Sequence, residues 1–220
     1  MVNLSENLHS VIEKIEKARL KVNAHHIVKI VAVSKYSNSS DIKELYHSGQ
    51  RAFGENKVQD LKAKSEELNE LPIEWHFIGR LQKNKINHLI ELELFLMHSL
   101  DSFELAIELD KRLKVKDKKM DCLLQINSAK EESKAGVMPE IAIEKFNKIK
   151  NSCENINLIG VMTIGANSEN LDEIKKSFEI TKAIFDKLDT KYCSMGMSSD
   201  YELAIECGSN LVRIGGALFK

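Results

Sequence analysis

The feature that most constrains this chain is an alternation. From Val28 onward, eight short apolar stretches recur, and an amphipathic stretch separates each from the next. The first, Val28-Lys-Ile-Val-Ala-Val33, is β-branched and apolar, the texture of a strand buried on both faces. The others lie at 51–54, 74–78, 94–98, 121–126, 157–162, 192–195 and 211–214. Between them, helical spacing predicts helices over 39–47, 56–69, 82–91, 102–115, 139–150, 170–188 and 199–207. The 170–188 stretch puts Leu171, Ile174, Phe178, Phe185 and Leu188 on one side. Helix 39–47 has cap candidates in Ser39, Ser40 and Asp41 and a stop at Gly49. The 199–207 stretch has a capping-box pattern, Ser199-x-x-Glu202, and ends at Gly208. An extra helix precedes the alternation, with Leu4, Leu8, Val11, Ile12 and Ile15 on one face.

Strands that alternate with helices imply a parallel sheet, and eight such units imply a closed (β/α)8 barrel. Such barrels reach down to about 200 residues, so 220 residues make one barrel and leave no room for a second domain. The rival, an open doubly wound sheet, lacks its GxGxxG after the first strand.

Charge narrows the class further. The chain carries 32 Lys+Arg against 33 Asp+Glu, a net −1, where a dedicated nucleic-acid binder would be clearly basic. The one charge run, Lys111 to Lys119, reads as the solvated end of a helix. Cys122, Cys153, Cys193 and Cys207 form no CxxC pair, a poor pattern for structural zinc or a disulfide framework. No apolar run approaches the ~20 residues of a membrane span, and the amino terminus lacks the basic and apolar regions of a signal peptide. The expectation is a reduced, cytoplasmic protein with no metal, membrane or nucleic-acid partner.

In a barrel, chemistry gathers at the carboxyl ends of the strands. Strand 1 ends in Ser34-Lys35. The low-dielectric mouth of a barrel disfavours an ammonium, and a neutral amine is the nucleophile for a carbonyl. A lysine snorkelling to solvent is the plainer reading of position alone. Barrels often hold a phosphate with the loops after strands 7 and 8. Here those loops read Gly196-Met-Ser198-Ser199-Asp200 and Gly215-Gly216, with Arg213 beside them. Backbone N–H groups at a helix start attract an anion, and glycines allow close approach. An amine for an aldehyde and a cradle for a phosphate describe two ends of one ligand. Pyridoxal 5′-phosphate (PLP) has both groups, and so do the sugar phosphates of Schiff-base aldolases.

Ala32-Val-Ser-Lys35, Phe53-Gly-Glu-Asn56, Trp75-His-Phe-Ile-Gly-Arg-Leu-Gln-Lys-Asn-Lys85, Ser133-Lys-Ala-Gly136, Gly160-Val-Met-Thr163, Ser194-Met-Gly-Met-Ser-Ser-Asp200 and Arg213-Ile-Gly215 follow one another along the chain. In that order and spacing they resemble the pyridoxal phosphate homeostasis protein family, from about residue 5 to the carboxyl terminus. The resemblance implies a barrel like the amino-terminal domain of alanine racemase, with PLP as cofactor. It implies that Lys35 holds the cofactor as a lysine aldimine and that Ser198 binds the phosphate with backbone N–H groups of Gly215 and Gly216. It places Arg213 near the pyridine nitrogen and Asn56 and Met195 along the cofactor. His76 matches the strand 3 motif and is assigned no chemistry. One departure stands out. Many relatives have Arg-Ile-Gly-Thr where this chain has Arg213-Ile-Gly-Gly216, so a threonine hydroxyl is missing.

The resemblance also implies a role in vitamin B6 homeostasis, as a carrier or buffer without catalysis. It admits apo PLP enzymes as partners and a monomer or weak homodimer. The alternative is a small PLP-dependent amino-acid racemase. Against it, the chain ends at Lys220, directly after strand 8, so no additional domain supplying a second base is expected. Strand alternation would turn Tyr36 away from Lys35.

Overall fold

The computed structural model describes residues 3–220. Helix α1 (Leu4–Val22) comes first, its first turn capped by Asn3, whose Oδ1 accepts from the Glu6 N–H at 3.1 Å. It buries Leu4, Leu8, Val11, Ile15 and Ala18, whereas Ile12 falls off the buried stripe and is exposed.

Eight parallel strands follow. They are β1 (Lys29–Val33), β2 (Ala52–Glu55), β3 (Glu74–Phe77), β4 (Leu96–Leu100), β5 (Met120–Ile126), β6 (Ile156–Thr163), β7 (Tyr192–Ser194) and β8 (Leu211–Ile214). Each pairs with its sequence neighbour, and β8 returns to β1 with Lys29 opposite Leu211 and Ala32 opposite Ile214, which closes the barrel. The expected eight-strand barrel with an extra amino-terminal helix is what the chain forms.

The intervening helices are α2 (Ser39–His47), α3 (Val58–Glu67), α4 (Ile86–Ile90), α5 (Phe103–Val115), α6 (Ala142–Ser152), α7 (Leu171–Phe185) and α8 (Tyr201–Glu206). Two of them are shorter than their periodicity predicts, because Lys83–Lys85 and Pro139–Ile141 wind as 3-10 turns ahead of α4 and α6. The cap of α2 sits one residue earlier than expected. Asn38 Oδ1 accepts from the Asp41 N–H at 2.9 Å and the Asp41 carboxylate accepts from the Asn38 N–H, a reciprocal capping box. The Ser39 hydroxyl donates instead to Glu67 on α3. The box expected at Ser199 and Glu202 does not form. Asp200 is the N-cap of α8, and its carboxylate turns back to accept from the Met197 N–H at 2.6 Å. A last short helix, α9 (Gly216–Phe219), has no counterpart in the periodicity.

Period-two alternation divides the core in two. Val31, Ala52, Leu96, Leu123, Met162, Tyr192 and Leu211 pack together inside the barrel. Ala32, Phe53, Phe77, Cys122, Val161, Cys193 and Val212 face outward, into a larger cluster with helix residues such as Ile42, Leu61, Phe146 and Phe178. This division decides which side chains the barrel can present. On β1 the inward row is Lys29, Val31 and Val33, and Lys35 follows in the turn two residues past the strand end.

Candidate functional site

The β1 end is held from behind by buried polar groups. Ser34 and Glu55 are both fully buried. The Ser34 hydroxyl donates to Glu55 Oε1 at 2.6 Å, and Lys64 Nζ donates to the same oxygen at 2.7 Å and to the Ser34 carbonyl at 2.8 Å. An ion pair out of water fixes position more than it adds stability, and here it fixes the turn that carries Lys35. Lys35 itself is half-buried and makes no hydrogen bond or ion pair among the described residues. Its Nζ lies 4.9 Å from the centroid of the Tyr36 ring, and Tyr36 is exposed. The strand ends at Val33, so alternation lapses there, and Tyr36 sits beside Lys35 rather than on the opposite face.

Across the β1–β8 pairing lies the second part. Ser198 Oγ accepts from the backbone N–H groups of Gly215 (3.1 Å) and Ala217 (3.2 Å). Among the described residues the Gly216 N–H between them has no partner. One hydroxyl oxygen thus takes two N–H donors and leaves the N–H between them spare, an arrangement an oxyanion would complete. A Cβ on Gly215 would stand 3.3 Å from the Val33 carbonyl oxygen, so the loop after β8 passes tightly against the end of β1. This contact brings the Ser198–Gly216 cradle next to the turn that carries Lys35.

Arg213 on β8 forms the third part. It is buried inside the barrel, and burial lowers its pKa to about 10, which leaves it charged at neutral pH. One terminal nitrogen donates to the Ser194 carbonyl at 3.0 Å and to Ser194 Oγ at 2.6 Å; the other donates to the Thr163 carbonyl at 2.8 Å. Its Nε–H makes no hydrogen bond among the described residues. Behind Ser194 the polar chain continues. His98 Nδ1 is 3.3 Å from Ser194 Oγ, and His98 Nε2 is 2.8 Å from His76 Nδ1. Burial pushes the His76 pKa down to about 3 and that of His98 well below the usual histidine range, so both are neutral.

The site residues read from the sequence therefore divide. Lys35, Ser198, Arg213, Gly215 and Gly216 come together around the ends of β1, β7 and β8. Asn56 stands at the end of β2, half-buried, and lines a neighbouring cleft of about 340 Å3 with Arg80 and Lys85. Its carbonyl oxygen lies where a Cβ on Gly79 would be only 1.9 Å away, so glycine is what lets these two loops cross. Met195 is placed differently. It is fully buried in the outer cluster, on the same face as Cys193, and its side chain is not brought together with Lys35 or Arg213. Sequence reasoning passed over His98 and gave no role to Ser194, Thr163 or Lys64. A period-two count would have found the first two, since His98 follows Leu96 and Ser194 follows Tyr192 on the inward rows. Among the described residues no group of three His, Cys, Asp or Glu side chains is placed to hold a metal ion.

A barrel with an amine, an oxyanion cradle and a buried cation at one mouth defines a class. The family model for the alanine racemase N-terminal domain matches residues 7–220. Alanine racemase of Clostridium difficile shares the fold at 17% identity and a TM-score of 0.72, this chain covering 56% of it. Nearer relatives are more particular. A pyridoxal phosphate homeostasis protein of Helicobacter pylori strain J99 is 51% identical over the whole of both chains. One of Aquifex aeolicus is 38% identical over 99% of this chain and 98% of its own. PipY of Synechococcus elongatus, solved with PLP bound, is 30% identical, with a TM-score of 0.83 over 99% of this chain and all of that one. The chain belongs to the pyridoxal phosphate homeostasis protein family.

Proposed function

We propose that this protein binds PLP at the barrel mouth and serves B6 homeostasis as a reversible holder of the cofactor, without catalysis. One observation carries the reading. Lys35 has no partner among the described residues, and next to its strand the Gly215 and Ala217 N–H groups meet on one hydroxyl oxygen while the Gly216 N–H between them stays spare. An amine without a salt bridge and an oxyanion cradle with a spare donor are the two ends that PLP requires, so the residues present fit the group.

When bound, PLP supplies an aldehyde that condenses reversibly with a primary amine and a ring that withdraws electrons. Lys35 is the amine that retains it. Ser198 and the N–H groups of Gly215 and Gly216 receive the phosphate. Arg213 offers one of its two remaining N–H groups, on Nε or Nη2, to the ring nitrogen. A guanidinium donates and does not release its proton at neutral pH, so a ring nitrogen facing it stays unprotonated and the ring is a weaker electron sink. That favours retention over carbanion chemistry. Asn56 lines the cleft beside these groups. Lys35 is only half-buried, which leaves a path for release to an apo enzyme.

Among the described residues no helix is long and apolar enough to cross a membrane. The reading places the protein in the cytoplasm, where its free cysteines stay reduced, as a monomer or weak homodimer. The test of the carrier role is transfer. Apo PLP enzyme mixed with the loaded protein should regain activity faster than with the same PLP in buffer; equal or slower recovery would remove the carrier reading. The racemase alternative is kept alive by Tyr36 beside Lys35. Chiral analysis of alanine and serine after long incubation with loaded protein should show no interconversion. Interconversion lost in Tyr36→Phe would replace the holder with an enzyme.

A further inference from the structure

The opposite end of the barrel holds a second polar cavity, and we propose that it binds a small oxyanion, a carboxylate or an inorganic oxyanion. The cavity measures about 240 Å3 and opens at the amino ends of the strands, lined by Lys29, Arg51, Glu74, His76, Phe95 and Tyr192 among others. It lies at the barrel floor, away from the Lys35 mouth. At about 30 Å3 per water it has room for roughly eight waters or one small organic anion.

Two sealed polar atoms of its lining have no partner, His76 Nε2 and Tyr192 Oη, on side chains only 2% and 4% exposed. Buried polar groups left unpaired are uncommon and costly. The hydrogen-bond chain above fixes what His76 presents. Arg213 can only donate, so Ser194 Oγ accepts from it, and the hydroxyl proton goes to its other partner, His98 Nδ1. His98 then carries its proton on Nε2 and donates to His76 Nδ1 at 2.8 Å. His76, neutral, carries its own proton on Nε2. Just behind the cavity lining therefore lie an N–H and a phenol O–H, both able to donate and both without a partner among the described residues. Above these rings hangs Lys29, in no ion pair among the described residues, its Nζ 5.8 Å from the Phe95 centroid and 5.7 Å from that of Tyr192. Arg51 adds a second positive charge, and Glu74 is the one acid of the lining, so the lining is net positive. Two buried donors beneath an unpaired ammonium select an acceptor with negative charge.

The test uses the full chain with 15N-labelled histidine and PLP saturating the mouth, so that anions have no access to the upper cradle. The His76 ring should be protonated on Nε2. Titration with sodium acetate, and separately with inorganic phosphate, at ionic strength balanced by chloride should shift that resonance saturably. The stronger of the two names the source. Tyr192→Phe, which removes one oxygen and keeps the ring, should weaken binding about tenfold, as loss of a hydrogen bond to a charged group does. Lys29→Met should weaken it further. A shift that grows linearly without saturating in both titrations, a proton on Nδ1, or unchanged binding in folded Tyr192→Phe would overturn the proposal and leave the cavity to water.

Discussion

Gly216→Thr restores the hydroxyl that many relatives carry, and the structure gives its expected effect. A Cβ built on Gly216 meets only Lys220 Cδ at 3.8 Å and Ser198 Oγ at 3.9 Å, ordinary contacts, and the backbone is outside the left-handed region. The substitution therefore costs no strain, and at the first position of α9 threonine is no worse than glycine. The added hydroxyl would stand beside Ser198, in the cradle proposed for the phosphate. One hydrogen bond to a charged group contributes about 1.5–3 kcal/mol, and freezing the side chain costs roughly 0.5. The net is about 1–2.5 kcal/mol, or roughly 5- to 70-fold tighter PLP binding. Absorbance titration of the variant beside the parent chain reads this directly, with the urea midpoint as a check on folding. A dissociation constant unchanged within about twofold, in a variant as stable as the parent, would show that residue 216 does not face the phosphate and that the cradle is misassigned.

Other perturbations test the supports. Lys64→Met leaves the fully buried Glu55 without its cation and should destabilise by about 3–5 kcal/mol in denaturant unfolding; a loss under 1 kcal/mol would mean water already reaches Glu55. Gly79→Ala drives a Cβ to within 1.9 Å of the Asn56 carbonyl oxygen and should cost about 3 kcal/mol, with a neutral result showing that the two loops part easily. His76 and His98 are neutral in the fold, with His76 at about 3. Below the ordinary histidine value of ~6.5 the unfolded chain takes up protons that the folded chain refuses, so stability falls with pH. From pH 7 to 5 the two together should remove roughly 3–4 kcal/mol. A His76→Gln/His98→Gln chain should lose much less over that interval, and equal losses would assign the effect to other groups.

The barrel was readable because its signal is periodic. Eight short apolar runs and seven amphipathic stretches reflect a solvent boundary that every strand and helix must satisfy. Where a single hydrogen bond decides an outcome, the sequence was ambiguous. Asn38, Ser39 and Asp41 are all acceptable caps for α2, and only the fold shows that Glu67 claims the Ser39 hydroxyl. Asp200 turns to Met197 in the same way and shortens α8. Within the site, Lys35, Arg213, Ser198 and the two glycines were legible from position and family pattern together. Met195 lies in the outer cluster; a pattern marks a place in the chain and not a face of the strand. The His76–His98–Ser194 chain joins residues up to 118 positions apart, and no local pattern announces such a contact.

The central claim is that Lys35 is the residue that holds the cofactor. It is tested most directly by adding PLP to the purified protein, recording the visible spectrum before and after borohydride, and mapping the adduct by mass spectrometry beside Lys35→Ala. The account predicts a PLP-dependent band above the free-cofactor spectrum, a borohydride-stable adduct on Lys35, and neither in the variant. A band of equal strength in folded Lys35→Ala, or an adduct confined to other lysines, would contradict it.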